Sequence, residues 1–290
     1  MFKGAITAII TPFRNGKLDA SALRKLVSFQ IRNGIYGIVP CGTTGESATL
    51  SFEEHEKVIH IVIDAARGKV PVIAGTGSNN TKEAVTLTRY ARKAKADAAL
   101  IITPYYNKPT QKGLFDHYKA IAEEVDIPII LYNVPGRTGV NMTAETVARL
   151  AEIKNIVGLK EASGNLPQIC EILRSTPEDF CVLSGDDALY FPMLMLGAKG
   201  VISVTSNVAP REMVNLYEAC VAGDIARARE IHFRLWPLMQ TLFIETSPIP
   251  VKTAAAMMGL IQEEFRMPLC GISEANRKTL AKVLAGLKLV

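Results

Sequence analysis

"IVGLKEAS", residues Ile156 to Ser163, sets small and apolar residues ahead of a lysine and a glutamate. A near-continuous apolar run without alternation is what a strand covered on both faces requires. Seven further runs read the same way: "GAITAII" (4–10), "GIYGIVP" (34–40), "VPVIAGT" (70–76), "AALIITPYY" (98–106), "IPIILYNV" (127–134), "FCVLSGD" (180–186) and "GVISVTS" (200–206). Amphipathic stretches such as "DASALRKLVSFQIRNG" and "SFEEHEKVIHIVIDAARG" lie between them, several opening on Asp, Ser or Thr at a capping position. Eight strand–helix units in series predict a (β/α)8 TIM barrel over residues 1–224. An open doubly wound sheet competes with this reading, but "TPF" (11–13) stands where its glycine fingerprint belongs. From residue 225 the strand signals stop, and "IARAREIHFRLWPLMQTLFIE", "PIPVKTAAAMMGLI" and "SEANRKTLAKVLAGLKLV" predict a C-terminal helical domain over 225–290.

The composition narrows the function classes. Apolar residues make up 48% of the 290 and charged residues 21%, ordinary for a globular α/β protein. The net charge of +5 is spread along the chain, with no polybasic run and no interleaving of basic and aromatic residues, so no nucleic-acid partner is expected. The five cysteines are widely spaced without a C-x-x-C, which predicts neither a disulfide framework nor a zinc site and favours a reducing compartment. The opening "MFKGAITAIITPF" reads as a first strand rather than a signal peptide, and no apolar stretch is long enough to span a membrane. A cytoplasmic protein is the expectation.

In a barrel of this kind, chemistry gathers at the C-terminal ends of the strands. Those ends carry "CGTTGES" (41–47), "YNVPGRTG" (132–139), "KEASGN" (160–165), "SGDD" (184–187) and "TSN" (205–207). All four histidines fall in helical stretches, which argues against imidazole-held metal; Glu161, Asp186 and Asp187 are carboxylates of a kind that suits Mg²⁺. Lys160 is the candidate for covalent chemistry. Desolvation of an ammonium favours the neutral amine, which attacks a carbonyl to form a Schiff base. The competing reading is a strand-end lysine that snorkels to solvent or pairs with an acidic neighbour. Tyr132 closes the preceding strand and could move protons, or be a core aromatic with a satisfied hydroxyl. Arg137 follows in a Pro-Gly turn, placed to clamp a carboxylate in bidentate fashion or simply to face solvent. "GTTGE" offers hydroxyls and backbone N–H groups for a small carboxylate, and lacks the spacing of a P-loop.

"GTTGES", "YNVPGRTG" and "GLKEASGN", with "TPYYNKP", "LSGDD", "GVISVTSN" and "PIPVK", make the whole chain resemble the pyruvate-dependent class I aldolases, and among them the dihydrodipicolinate synthase family. The resemblance implies a barrel with helical appendage, assembled as a homotetramer of two tight dimers. It implies condensation of pyruvate with L-aspartate 4-semialdehyde to 4-hydroxy-tetrahydrodipicolinate, in lysine and diaminopimelate biosynthesis, with no metal and no organic cofactor. Lys160 would form the Schiff base, and Tyr132, Thr43 and Tyr106 the proton relay, with Tyr106 reaching in from a neighbouring subunit. Thr43 and Thr44 would hold the pyruvate carboxylate, Arg137 that of the semialdehyde, and Gly185 and Ile202 would lend backbone groups near the lysine. Sialic acid lyases and sugar-acid aldolases share the lysine, the tyrosine and the GTTGE-like loop; Arg137 after "NVPG" favours the short acidic aldehyde. A barrel that senses pyruvate without turnover is a reading from another class, and loss of the lysine, tyrosine or arginine would mark it; all three residues are present.

The resemblance also implies a lysine effector site at Ser47, Ala48, His55, Asn79, Glu83 and Tyr105. Phe52 stands where lysine-sensitive members often carry a histidine or another polar residue, and a benzyl group donates no hydrogen bond. Lysine inhibition is therefore expected to be weaker than in members that keep the polar residue; tight, cooperative inhibition in a lysine titration would overturn this.

Overall fold

Strands without alternation need cover on two faces, and closing a parallel sheet on itself inside a ring of helices supplies both. The computed structural model, which describes residues 2–290, has this architecture. Eight strands, β1 (Gly4–Ala8), β2 (Gly37–Val39), β3 (Ile73–Gly75), β4 (Ala98–Ile102), β5 (Ile129–Asn133), β6 (Ile156–Glu161), β7 (Cys181–Ser184) and β8 (Gly200–Ser203), pair in parallel. Their order is β2-β1-β8-β7-β6-β5-β4-β3, and a parallel bridge between Ile38 and Val72 joins the two ends. The predicted barrel is present, with strands shorter than the apolar runs suggested. Pro40, Pro71 and Pro104 lie in those runs and lack the N–H a ladder needs.

Eight helices alternate with the strands: α1 (Ala20–Arg32), α2 (Phe52–Ala66), α3 (Thr81–Lys93), α4 (Gln111–Glu124), α5 (Ala144–Ala151), α6 (Leu166–Ser175), α7 (Tyr190–Met195) and α8 (Pro210–Val221). Asp19, Ser51, Asn80, Thr110, Thr143 and Asn165 accept from first-turn N–H groups, and Ser51 with Glu54 closes a full capping box. Each such cap is worth about 1 kcal/mol, which marks helix starts locally. Three more helices follow, α9 (Ile225–Thr241), α10 (Ile249–Met257) and α11 (Glu274–Gly286). Among the described residues no helix is long and apolar enough to cross a membrane.

Strand alternation splits the core into two layers. Ile6, Ile73, Leu100, Ile130, Tyr132, Leu183 and Ile202 fill the barrel lumen. Their neighbours Ala5, Ala74, Ile101, Ile129, Leu131, Leu159 and Val201 face the helices. Both layers are apolar, so each strand reads as an unbroken run.

His117 of α4 is packed into the outer layer, with Nδ1 2.9 Å from Thr81 Oγ1 and Nε2 buried without a partner. Burial pushes its pKa down from 6.5 to about 4. Between those values the unfolded chain takes up a proton that the folded chain refuses, so this residue weakens folding as pH falls through that window. A shift of this size amounts to roughly 3 kcal/mol at the acid end. His117→Gln is therefore expected to flatten the fall in Tm between about pH 6.5 and about pH 4; melting curves that decline identically for both proteins would contradict it.

Candidate active site

β5 and β6 set the centre. Their register places Tyr132 directly beside Lys160. Leu159 faces the helices, so alternation turns Lys160 into the lumen and Glu161 outward again. Lys160 and Tyr132 are each 6% exposed, and Lys160 Nζ sits 4.1 Å from the centre of the Tyr132 ring. Among the described residues no carboxylate lies within ion-pair distance of that amine. The ring face is what meets the cation.

Gly185, just past β7, leaves room for the lysine stem. Its N–H donates to Glu161 O at 2.7 Å, and a Cβ there would lie 3.0 Å from Lys160 Cε and 2.7 Å from Ala162 Cβ. Ile202 of β8 packs in the lumen with Tyr132. Glu161 accepts from Ser163 N at 2.6 Å and from Asn133 Nδ2 at 3.0 Å. Burial pushes its pKa above the usual range, against those hydrogen bonds. Asp187 accepts from Val204 N and Thr205 N, while Asp186 caps the turn that follows it. The three carboxylates are thus engaged separately, and among the described residues no group of three or more His, Cys, Asp or Glu is arranged to hold a metal.

The loop after β2 is shaped by a close backbone approach. A Cβ on Gly75 would fall 2.2 Å from Cys41 O, so only glycine lets β3 reach this loop. Thr43–Gly45 then forms one 3₁₀ turn and Ser47–Thr49 a second. Thr11 Oγ1 donates to Gly45 O at 2.7 Å and ties the first turn to the end of β1. Arg137 sits on a single helical turn, Pro135–Thr138, and donates from Nη2 to Ser247 O at 3.1 Å.

A cavity of about 430 Å³ opens over the strand ends. Thr43, Tyr132 and Arg137 line it, with Ser247, Pro248 and Leu269 from the C-terminal segment. Ser47, Ala48, His55, Glu83, Tyr105 and Phe52 line the same cavity, so Thr43, Tyr132 and Arg137 share one space with most of the residues of the expected effector site. His55 is held there by a 2.7 Å bond between Nε2 and Gly75 O; burial lowers its pKa and that bond opposes the shift. Glu83 accepts from Ser78 Oγ at 2.7 Å. Asn79 lies beside the wall, donating to Tyr105 O at 3.2 Å. Lys160, Thr44, Gly185 and Ile202 are buried or half-buried beyond the lining. Tyr106 is elsewhere: its side chain is 90% exposed on a backbone with φ 72°, away from its own chain's cavity.

Two participants had no role assigned from the sequence. Glu46 adjoins Thr43–Gly45, and Lys252 of α10 pairs with it. Both fall inside quoted motifs, "GTTGES" and "PIPVK", but 206 positions separate them, and only the fold brings them together.

The chain is similar to known proteins over its whole length. A model of the dihydrodipicolinate synthetase family matches residues 1–287. The chain is 59% identical over 290 residues to 4-hydroxy-tetrahydrodipicolinate synthase of Syntrophus aciditrophicus strain SB, covering 100% of both. It superposes on dihydrodipicolinate synthase from Aquifex aeolicus with a TM-score of 0.98 at 54% identity, covering 99% of each chain. The chloride-inhibited enzyme from Acinetobacter baumannii, complexed with pyruvate, gives 0.98 at 46% with 100% of each covered. The enzyme from Cyanidioschyzon merolae with lysine bound gives 0.97 at 43%, covering 100% of this chain and 99% of the other.

The contact at Gly185 yields a test of how Lys160 is held. A methyl group there crowds Ala162 Cβ and pushes the lysine stem by a few tenths of an ångström; a misplacement of about 1 Å costs roughly a hundredfold in reactivity, and a smaller one less. Gly185→Ala is expected to slow borohydride trapping of a small keto acid on Lys160 by up to about 10-fold. Trapping at the unaltered rate in the folded variant would contradict it.

Proposed function

The chain belongs to the dihydrodipicolinate synthetase family, and on that footing we propose that it condenses pyruvate with L-aspartate 4-semialdehyde to 4-hydroxy-tetrahydrodipicolinate, a step of lysine and diaminopimelate biosynthesis. The observation that carries the reading is the Lys160–Tyr132 pair, side by side in the lumen and 4.1 Å from amine to ring centre.

The Lys160 amine attacks the pyruvate carbonyl, water leaves, and an iminium forms. That iminium accepts the electrons released when a methyl proton departs, so the pyruvate methyl carbon becomes an enamine nucleophile. It adds to the aldehyde of the second substrate. The substrate's own amine then attacks the imine carbon, closing the ring and freeing Lys160. Tyr132 hands protons on and off, with Thr43 next in the relay and Tyr106 of a neighbouring subunit completing it. Thr43 and Thr44 cradle the pyruvate carboxylate, and Gly185 and Ile202 present backbone groups beside the lysine. Arg137, at the rim of the cavity, binds the carboxylate of the semialdehyde. The iminium is itself the electron sink, so the chemistry as written calls on no metal or organic cofactor.

A homotetramer built as a dimer of dimers completes the site. The exposed aromatic surface of Phe52, Tyr105 and Tyr106 supports its burial against a second copy. Residues 1–224 serve as the catalytic barrel and 225–290 as the helical domain, in the cytoplasm. Lysine binds at the end of the cavity formed by Ser47, Ala48, His55 and Glu83, with Asn79 and Tyr105 beside it; the lysine-bound relative supports this reading.

A coupled assay with pyruvate and aspartate semialdehyde is expected to show turnover that Lys160→Ala lowers by at least about a thousandfold. Borohydride added with pyruvate is expected to leave a stable adduct on the Lys160 peptide. An unmodified Lys160 peptide, or faster turnover of sugar acids than of the semialdehyde, would refute the assignment.

A further inference from the structure

Glu46 occupies an uncomfortable position. It joins the Thr43–Gly45 and Ser47–Thr49 turns in the left-handed region, at φ 53° and ψ 37°. A non-glycine residue held there costs about 1–3 kcal/mol and persists only where its surroundings over-determine it. The main chain contributes: Glu46 N donates to Thr43 O at 3.1 Å, and Thr49 N donates to Glu46 O at 3.0 Å. The side chain contributes more. Its Oε1 accepts from Lys252 Nζ at 2.5 Å and its Oε2 from Arg266 N at 3.3 Å.

Both side chains of this ion pair are 0% exposed. Lys252 also donates to Glu264 O at 2.6 Å and stands 4.4 Å from the centre of the Phe13 ring. Arg266 stacks on the same ring at 4.3 Å and grips Glu54 with two hydrogen bonds. A buried pair is of little net use to stability when replaceable by apolar residues, but breaking one partner leaves a charge stranded in low dielectric. A fully satisfied pair therefore fixes position more than it adds stability. The position it fixes is the turn bearing Thr43 and Thr44.

We propose that Glu46 and Lys252 are positioning residues for pyruvate: the buried pair clamps the Thr43–Thr44 turn to α10, so that carboxylate affinity at the barrel mouth depends on the C-terminal helices. This rests on the reading of Thr43 and Thr44 as the carboxylate cradle.

The test is steady-state kinetics with melting curves on Lys252→Met, Glu46→Gln and the double variant, with Thr44→Val as reference. Lys252→Met is expected to raise KM for pyruvate by about tenfold or more while kcat at saturating pyruvate and KM for the semialdehyde stay within about threefold, the signature of lost binding shared by ground and transition states. Glu46→Gln keeps chain length and an acceptor oxygen, so its rise in KM is smaller; if Lys252→Met does not fold, the same split in Glu46→Gln decides. The double variant strands no charge, and its rise in KM is expected to be smaller than that of Lys252→Met alone. Variants that melt lower with unchanged KM for pyruvate, while Thr44→Val raises it, would overturn the positioning role and leave the cradle standing. An unchanged KM in Thr44→Val would overturn the cradle and this inference with it.

Discussion

Everything at the mouth of this barrel is arranged around a primary amine carried into an apolar lumen. Lys160 is one strand position away from facing the helices, as its neighbour Leu159 does. Turned inward, it meets an aromatic face instead of a carboxylate. That choice matters chemically. A carboxylate partner would bond to the nitrogen and occupy the space a carbonyl carbon must reach, whereas the face of Tyr132 lies beside the amine without accepting a hydrogen bond in that space. Gly185 completes the arrangement by yielding the volume that the lysine stem occupies.

Lys252 shows the opposite use of the same side chain. It is equally removed from water, yet it is matched by Glu46, a backbone carbonyl and an aromatic ring. Burial lowers its pKa, and the charge of Glu46 opposes that shift. With its hydrogens committed it serves as a fastener. Lys160 in the barrel lumen and Lys252 on α10 thus differ in what surrounds them, and neither burial nor residue type alone tells the two apart.

The helices beyond the barrel are part of the site. Ser247 accepts from Arg137, Pro248 and Leu269 line the cavity, and Lys252 and Arg266 reach the loop after β2. A bare barrel would present its strand-end loops to water with their conformations unsupported. Packing the C-terminal segment across one side walls the cavity and ties down Arg137 and the loop after β2.

The eight-fold alternation, most helix starts and the singular place of Lys160 on a buried strand are legible along the chain. Apolar periodicity and capping are local, and a lysine at the end of a buried run is conspicuous against them. The apolar runs overran the strand ends, because prolines end a ladder before hydrophobicity does. Partnership emerged only in the folded chain: Tyr132 against Lys160 by register, Gly185 against the lysine stem, and Glu46 with Lys252 across 206 positions. The single cavity that Thr43, Tyr132 and Arg137 share with Ser47, His55 and Glu83 was likewise invisible along the chain. The physical reason is common to all of these. Contacts between residues distant in sequence depend on how strands close and helices pack, and no local pattern encodes a distance between two segments that meet only when the barrel is complete.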